Sequence, residues 1–263
     1  MRRSTGRTVP ESPRFGASLD VRFEATVPEL ASVLDSHGLN HLEVRQGYLD
    51  VREGAALDQV ATVTSNGFSA TFHAPHIDCA MGNINERLRR AAVDGVKRSL
   101  DMAARVDAGG VVVHGGASRT RYPDHVQSFS REQALTSIEE CTRHAAAVGV
   151  PLCLENSREK DTERRHTATP DRLAAFLADL DVESEYLRLT LDVGHAKASG
   201  IPYERFVDRF EDRIHVLHLH DNDGTTDAHD PLPEFREVAA DVGAPYNVLE
   251  MKSLPDIAAC VET

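Results

Sequence analysis

The chain has 263 residues, 41% of them hydrophobic, no tryptophan, and a formal net charge of −13 from 42 acidic and 29 basic residues. No apolar run approaches the about 18 residues that cross a bilayer, so no membrane partner is expected. The acidic balance disfavours a nucleic-acid surface, which needs Lys and Arg against phosphates. With only four lysines, it reads instead as a solvated surface suited to high salt.

In chain order, residues 1–13 carry Arg2, Arg3 and Arg7 with no apolar stretch behind them. They are expected to form a flexible tail rather than a secretory signal. Residues 14–263 are expected to form one α/β domain, a single (β/α)8 TIM barrel, which takes about 250 residues. Eight apolar runs read as strands: Phe15–Leu19, His41–Arg45, Ser69–His73, Val111–His114, Pro151–Glu155, Arg188–Asp192, Ile214–His218 and Tyr246–Glu250. Between them lie segments with apolar spacing near 3.6, such as VPELASVLDSHG, NERLRRAAVDGVKRSLDMAARV, REQALTSIEECTRHAAAVG and PDRLAAFLADL. A short helix, Leu254–Val261, closes the chain. Strict alternation implies a parallel sheet, and eight strands favour closure over an open sheet. No Gly-x-Gly-x-x-Gly follows the first strand, which disfavours a dinucleotide fold. Two loops, Asn156–Thr169 and Asp221–Pro233, are longer than a strand-to-helix turn requires.

The chemistry sits at the downstream ends of the runs. His73 ends FSATFH, His114 ends VVVH, Glu155 ends PLCLE, Asp192 and His195 follow LRLTL, His218 ends IHVLH and Glu250 ends YNVLE. Asp227 and His229 follow in the loop DGTTDAHD. In a (β/α)8 barrel these ends converge on one mouth. A charged carboxylate at the end of an apolar run is costly unless paired or metal-bound. His218 and His220 alternate with leucines and share a face. Mixed nitrogen and oxygen donors without thiolate suit a divalent metal: Mn²⁺, Zn²⁺, Co²⁺ or Mg²⁺. A lone histidine in a strand is more often a hydrogen-bonded core residue, and His41, His76, His125, His166 and His215 are read so. Glu43, in HLEVR, has two readings, a residue lining the pocket or a rim ion pair, and the ion pair is the one expected. Cys79, Cys141, Cys153 and Cys260 form no CxxC pair, which suits free thiols in a reducing cytoplasm.

The pieces LENS, LDVGH, HLHDN with DAH downstream, and LEMK resemble the xylose-isomerase-like TIM barrel superfamily. It contains sugar and sugar-phosphate isomerases and epimerases and the apurinic endonucleases of the endonuclease IV type. The resemblance runs from RFGASLD to YNVLEMK. It implies that Glu155, Asp192, His218 and Glu250 form a central metal quartet. It also implies that His73, His114, His195, Asp227 and His229 complete the larger set that holds up to three zinc ions in the endonucleases. The endonuclease pattern departs at three places. His76 and Cys79 stand where a Tyr and an Asn are expected, Gly194 stands where a Cys precedes the ligand His, and the stretch from His218 to Asp227 is shorter.

Two mechanisms compete. In the preferred one, a divalent ion polarises a hydroxy-carbonyl sugar, and Glu155 and Glu250 move a proton on opposite faces of an enediolate. His195 holds a substrate oxygen, and Arg158, Lys160, Arg164 or Arg165 grips a phosphate, although that loop also reads as solvated coil. In the alternative, two or three zinc ions cleave a phosphodiester. A barrel that binds a small molecule without turnover is the third reading. An oligomer, if formed, is expected to be a homodimer.

Overall fold

The computed structural model describes residues 10, 12–52, 54–76 and 80–262. Arg2, Arg3 and Arg7 of the expected tail, and Cys79, lie outside the described residues. Ten strands occur among the described residues. They are β1 Arg14–Leu19, β2 His41–Arg45, β3 Ser69–His73, β4 Val111–His114, β5 Ala117–Arg119, β6 Leu152–Glu155, β7 Glu163–Arg165, β8 Leu187–Asp192, β9 Ile214–Leu219 and β10 Tyr246–Leu249. Eight of them close into a parallel barrel in the order β1-β2-β3-β4-β6-β8-β9-β10, with β10 returning to β1. The (β/α)8 architecture expected from alternation is the fold.

Local chemistry sets the helices that cover the barrel. Helix Val27–Ser36 opens with a capping box: Thr26 Oγ1 accepts the Glu29 N–H, and Glu29 Oε2 accepts the Thr26 N–H at 2.7 Å. Helix Asp124–Val148 ends at Gly149, whose φ of 74° suits a left-handed cap. Thr169 caps helix Pro170–Ala178, with proline at its start. Helices Gln46–Arg52, Gly54–Ser65, Val193–Ala198, Glu204–Phe210 and Phe235–Val242 are also present. Their apolar spacing does not single them out in the sequence, because most are about two turns long.

Each barrel strand has two sides, and side chains alternate between them. One set, including Leu42, Phe72, Val113, Leu154, Leu217 and Leu249, belongs to the main core beneath the helices. The other set contributes a separate buried cluster of Val112, Cys153, Val216, Tyr246 and Val248. Two residues further along the same strands stand His114, Glu155, His218 and Glu250. The parallel register pairs His114 with Glu155 and Asp192 with His218. The strand period therefore places an acid and imidazole layer directly above an apolar one.

The loop Asn156–Thr169, read partly as coil, carries β7. It pairs antiparallel with β5, matching Ala117 to Arg165, Ser118 to Arg164 and Arg119 to Glu163. A three-residue strand of Glu-Arg-Arg, with no apolar residue, leaves no hydrophobic periodicity to detect. No helix among the described residues is long and apolar enough to cross a membrane. Cys141, Cys153 and Cys260 are free and buried.

Candidate metal centre

Asp192, Glu155, Glu250 and His218 meet at one point. His218 Nδ1 lies 2.9 Å from Glu155 Oε1, 3.3 Å from Glu250 Oε1 and 3.9 Å from Asp192 Oδ2. All four side chains are buried. Burial alone would push the His218 ring down, but the carboxylates of Glu250, Glu43 and Glu155 outweigh it and raise its pKa well above the ordinary value. Burial would likewise raise Glu155 and Glu250. Instead His114 and His218 hold Glu155 well below the usual carboxylate range, and Arg45 and His218 do the same for Glu250. Glu155 and Glu250 are thus held as carboxylates beside His218, whose protonated form they favour.

Two flanking groups extend this centre. On one side His114 Nε2 and His73 Nε2 face Glu155 Oε2 at 2.6 and 3.8 Å. On the other, His195 Nε2 lies 3.4 Å from Asp227 Oδ2, and His229 Nε2 lies 3.7 Å from Asp227 Oδ1. Three of these rings are oriented through the backbone. His73 Nδ1 is hydrogen-bonded to the Ala74 carbonyl at 2.8 Å, His195 Nδ1 to that of Asn156 at 2.9 Å, and His229 Nδ1 to that of Glu250 at 2.8 Å. Such a bond leaves Nε2 facing the centre, as in metal-ligating histidines. His229 pays for its orientation with a left-handed backbone, φ 53°.

The sequence LENS and the spacing Asp-x-x-His acquire a structural reason. Asp192 ends β8 and caps helix Val193–Ala198, its Oδ1 accepting the His195 N–H at 2.7 Å. Asn156 clasps the Asp192 backbone with both ends of its amide, donating to the Asp192 carbonyl at 2.9 Å and accepting its N–H at 2.6 Å. Asn156 is thus a positioning residue that strand-end counting passes over.

Several residues take places other than those expected. Glu43 forms no rim ion pair: it is fully buried inside the barrel, 3.2 Å from His218 Nε2, with Thr71 Oγ1 donating to it at 3.1 Å. His76 is not a core histidine. It lines the cavity, its ring centroid 4.9 Å from that of His73 and 5.1 Å from that of His114. His220 joins the site, with Nε2 3.1 Å from Asp192 Oδ1 and its ring stacked on His229 at 4.1 Å. The signal for it was its shared face with His218. Gly194 makes room, since a Cβ there would stand 1.9 Å from the His220 ring.

The mouth holds a cavity of about 270 Å³, lined by the imidazoles and carboxylates together with Arg45, Arg158, Lys160 and Arg165. Arg45 Nη2 donates to Glu250 Oε1 at 2.5 Å. Arg164 does not reach this cavity: on β7 it pairs with Ser118 and lines a separate depression, which Arg165 also borders.

The donor set suits a divalent cation. Glu155 Oε2, Glu43 Oε1 and Asp227 Oδ1 are buried and close no well-directed hydrogen bond among the described residues, although histidine nitrogens lie nearby. Buried anionic oxygens without donors are costly, and a cation supplies the missing partner. Among the described residues, His73–His114–Glu155, Glu155–Asp192–His195, Glu43–His218–Glu250 and His220–His229–Glu250 each bring ligand atoms within 4.8 Å of one another.

Residues 31–253 match the family described as Xylose isomerase-like TIM barrel. The chain belongs to that family. An uncharacterized protein of Methanocaldococcus jannaschii is 31% identical over 161 residues, covering 60% of this chain and 53% of that protein. Among solved structures, a D-tagatose 3-epimerase-like protein superposes with a TM-score of 0.81 at 22% identity, covering 95% of this chain and 94% of its own. The 3-keto-D-glucoside 4-epimerase of E. coli gives 0.73 at 17% identity, covering 95% and 97%. At these identities the two structures speak for the fold.

Proposed function

We propose that the protein is a divalent-metal-dependent epimerase or isomerase of a small sugar or sugar phosphate. The observation that carries this reading is the convergence of Glu155, Asp192 and Glu250 on His218 Nδ1 at the mouth of the barrel. The sugar epimerases named among the structural neighbours support it. Glu155, Asp192, His218 and Glu250 would hold the ion. When bound, it would act as a Lewis acid that favours removal of a proton beside a carbonyl.

The chain's own groups supply the rest. Glu155 and Glu250 reach the centre from different strands, so each presents a carboxylate to one face of a substrate between them. One takes the α-proton, and the other returns a proton to the opposite face. Arg45 keeps Glu250 ionised and fixes its rotamer. Glu43, on the far nitrogen of His218, orients that ring. His195 holds a substrate oxygen. Arg158, Lys160 and Arg165 stand at the rim, where a substrate phosphate would be gripped.

The test is exchange of the substrate α-proton with deuterated water, screened over ketohexoses and ketose phosphates with zinc, manganese, cobalt and magnesium. No exchange with any of them would remove the reading.

A specific observation keeps a second reading: His73, His114, Asp227 and His229 offer more donors than one ion uses. Three zinc ions held by the full set would suit in-line cleavage of a phosphodiester. Zinc-dependent nicking of abasic duplex DNA, with three equivalents of metal by elemental analysis, would favour it.

A further inference from the structure

Behind the β5–β7 ribbon lies another cavity, of about 280 Å³, which shares Arg165 with the cavity at the barrel mouth but none of the proposed metal ligands. The ribbon contributes Ser118, Arg164 and His166, the first two turns of helix Asp124–Val148 contribute Asp124 and Arg131, and helix Pro170–Ala178 contributes Arg172. Together with Arg165, four guanidiniums line the space against one carboxylate, in a chain whose net charge is −13. Asp179 pairs with Arg131 at 2.8 Å, Glu163 with Arg165 at 3.1 Å and Glu159 with Arg172, but none of these acids lines the cavity. A guanidinium has five N–H donors, so each pair leaves donors unused. The Arg164 side chain makes no hydrogen bond or ion pair among the described residues.

Two buried polar atoms are left open there. His166 is 6% exposed and Ser118 2%, yet His166 Nε2 and Ser118 Oγ have no hydrogen-bond partner. Buried polar groups are rarely left unpaired, and those that are call for a specific reason. The His166 ring is fixed in plane by stacking on Phe176, with centroids 5.8 Å apart and planes 6° apart. An unpaired hydroxyl and an unpaired imidazole nitrogen, each able to donate, within a ring of arginines is the chemistry of an oxyanion site.

We propose that this cavity binds the phosphate group of a small phosphomonoester. Ser118 and His166 donate to the anion at the floor, and Arg164 and Arg131 neutralise it. Its volume, near the lower bound of the about 300–1,000 Å³ typical of small-molecule sites, leaves room for an organic group beyond the phosphate. This site does not depend on the reaction at the barrel mouth.

Calorimetric titration of the full chain with glycerol 3-phosphate, inorganic phosphate and glycerol tests it, with hydrogen exchange to locate the ligand. Saturable binding of the ester is expected, with slowed exchange at Ser118 and residues 163–166. Arg164→Glu should weaken binding by about tenfold or more. Asp124→Asn should tighten it, and Ser118→Ala should weaken it in a chain whose folding is unaltered. An ester that binds about tenfold tighter than phosphate identifies a phosphorylated metabolite, whereas equal affinities identify free phosphate at the same site. No saturable binding, affinity unchanged in Arg164→Glu, or protection confined to the strand ends near His114 and Glu155 would overturn the proposal.

Discussion

His41 and His218 are both fully buried in the barrel, yet they are opposite kinds of histidine. His41 faces hydroxyls: Ser69 Oγ at 2.8 Å and Thr71 Oγ1 at 3.1 Å. Burial pushes its pKa down to about 3, so it stays neutral. His218 faces four carboxylates, and they raise its pKa despite the same burial. Burial does not decide what a histidine does; its partners decide. The same contrast separates the apolar layer of Val112, Cys153, Val216, Tyr246 and Val248 from the acid and imidazole layer two residues along the strands.

Breaking the upper layer should have the largest effect. Glu250→Gln is expected to slow substrate α-proton exchange by about 10²–10⁴-fold, the usual worth of a positioned acid or base. Deuterium incorporation followed by NMR measures it. Retained exchange would remove Glu250 from the proton path.

Stripping the metal attacks the same layer without mutation. With ion at about 100 times its Kd, binding stabilises by about 2.7 kcal/mol. Chelation should therefore lower Tm by about 5–10 °C in a chain of this size, read by scanning calorimetry. An unchanged Tm would mean that the carboxylates need no cation.

A third experiment sharpens the boundary between packing and coordination. Gly194→Ala places a Cβ against the His220 ring. Overpacking of this kind costs about 1–3 kcal/mol. Chemical denaturation should show that loss together with weaker metal retention. Val248→Ala, in the lower layer, should cost about 2 kcal/mol and leave metal content unchanged.

The last effect, seen only on acidification, concerns His41. Its pKa of about 3 in the folded chain lies below the 6.5 of an exposed histidine. Between those values the unfolded chain binds the extra proton, so the contribution is whole above about pH 6.5 and declines as pH falls toward 3. Urea midpoints at pH 7 and 4.5 should fall less steeply for His41→Asn than for the natural chain.

The barrel was legible in the sequence because strand alternation and β-run spacing depend on local pattern alone. The strand-end ligands were legible for the same reason: Glu155 and Glu250 interrupt apolar runs where only a partner makes them tolerable. What stayed hidden depends on neighbours brought from afar. Glu43 reads as a rim acid until β9 sets His218 beside it, and the shared face of His218 and His220 does not show that Gly194 opens the space for the His220 ring. Arg164 and Arg165 are adjacent in sequence, but only the pairing of β7 with β5 shows that Arg165 reaches the mouth and Arg164 does not.

The backbone carbonyls of Ala74, Asn156 and Glu250 that hold His73, His195 and His229 also bear on which ion the proposed site would accept. Magnesium favours six oxygen donors and sheds water reluctantly, whereas late first-row ions accept imidazole readily. Rings clamped in place cannot swing aside to let water substitute for them. Selection among competing ions would then be written into the main chain, and a proposed metal site of this kind would favour a transition metal over magnesium even where magnesium is in excess.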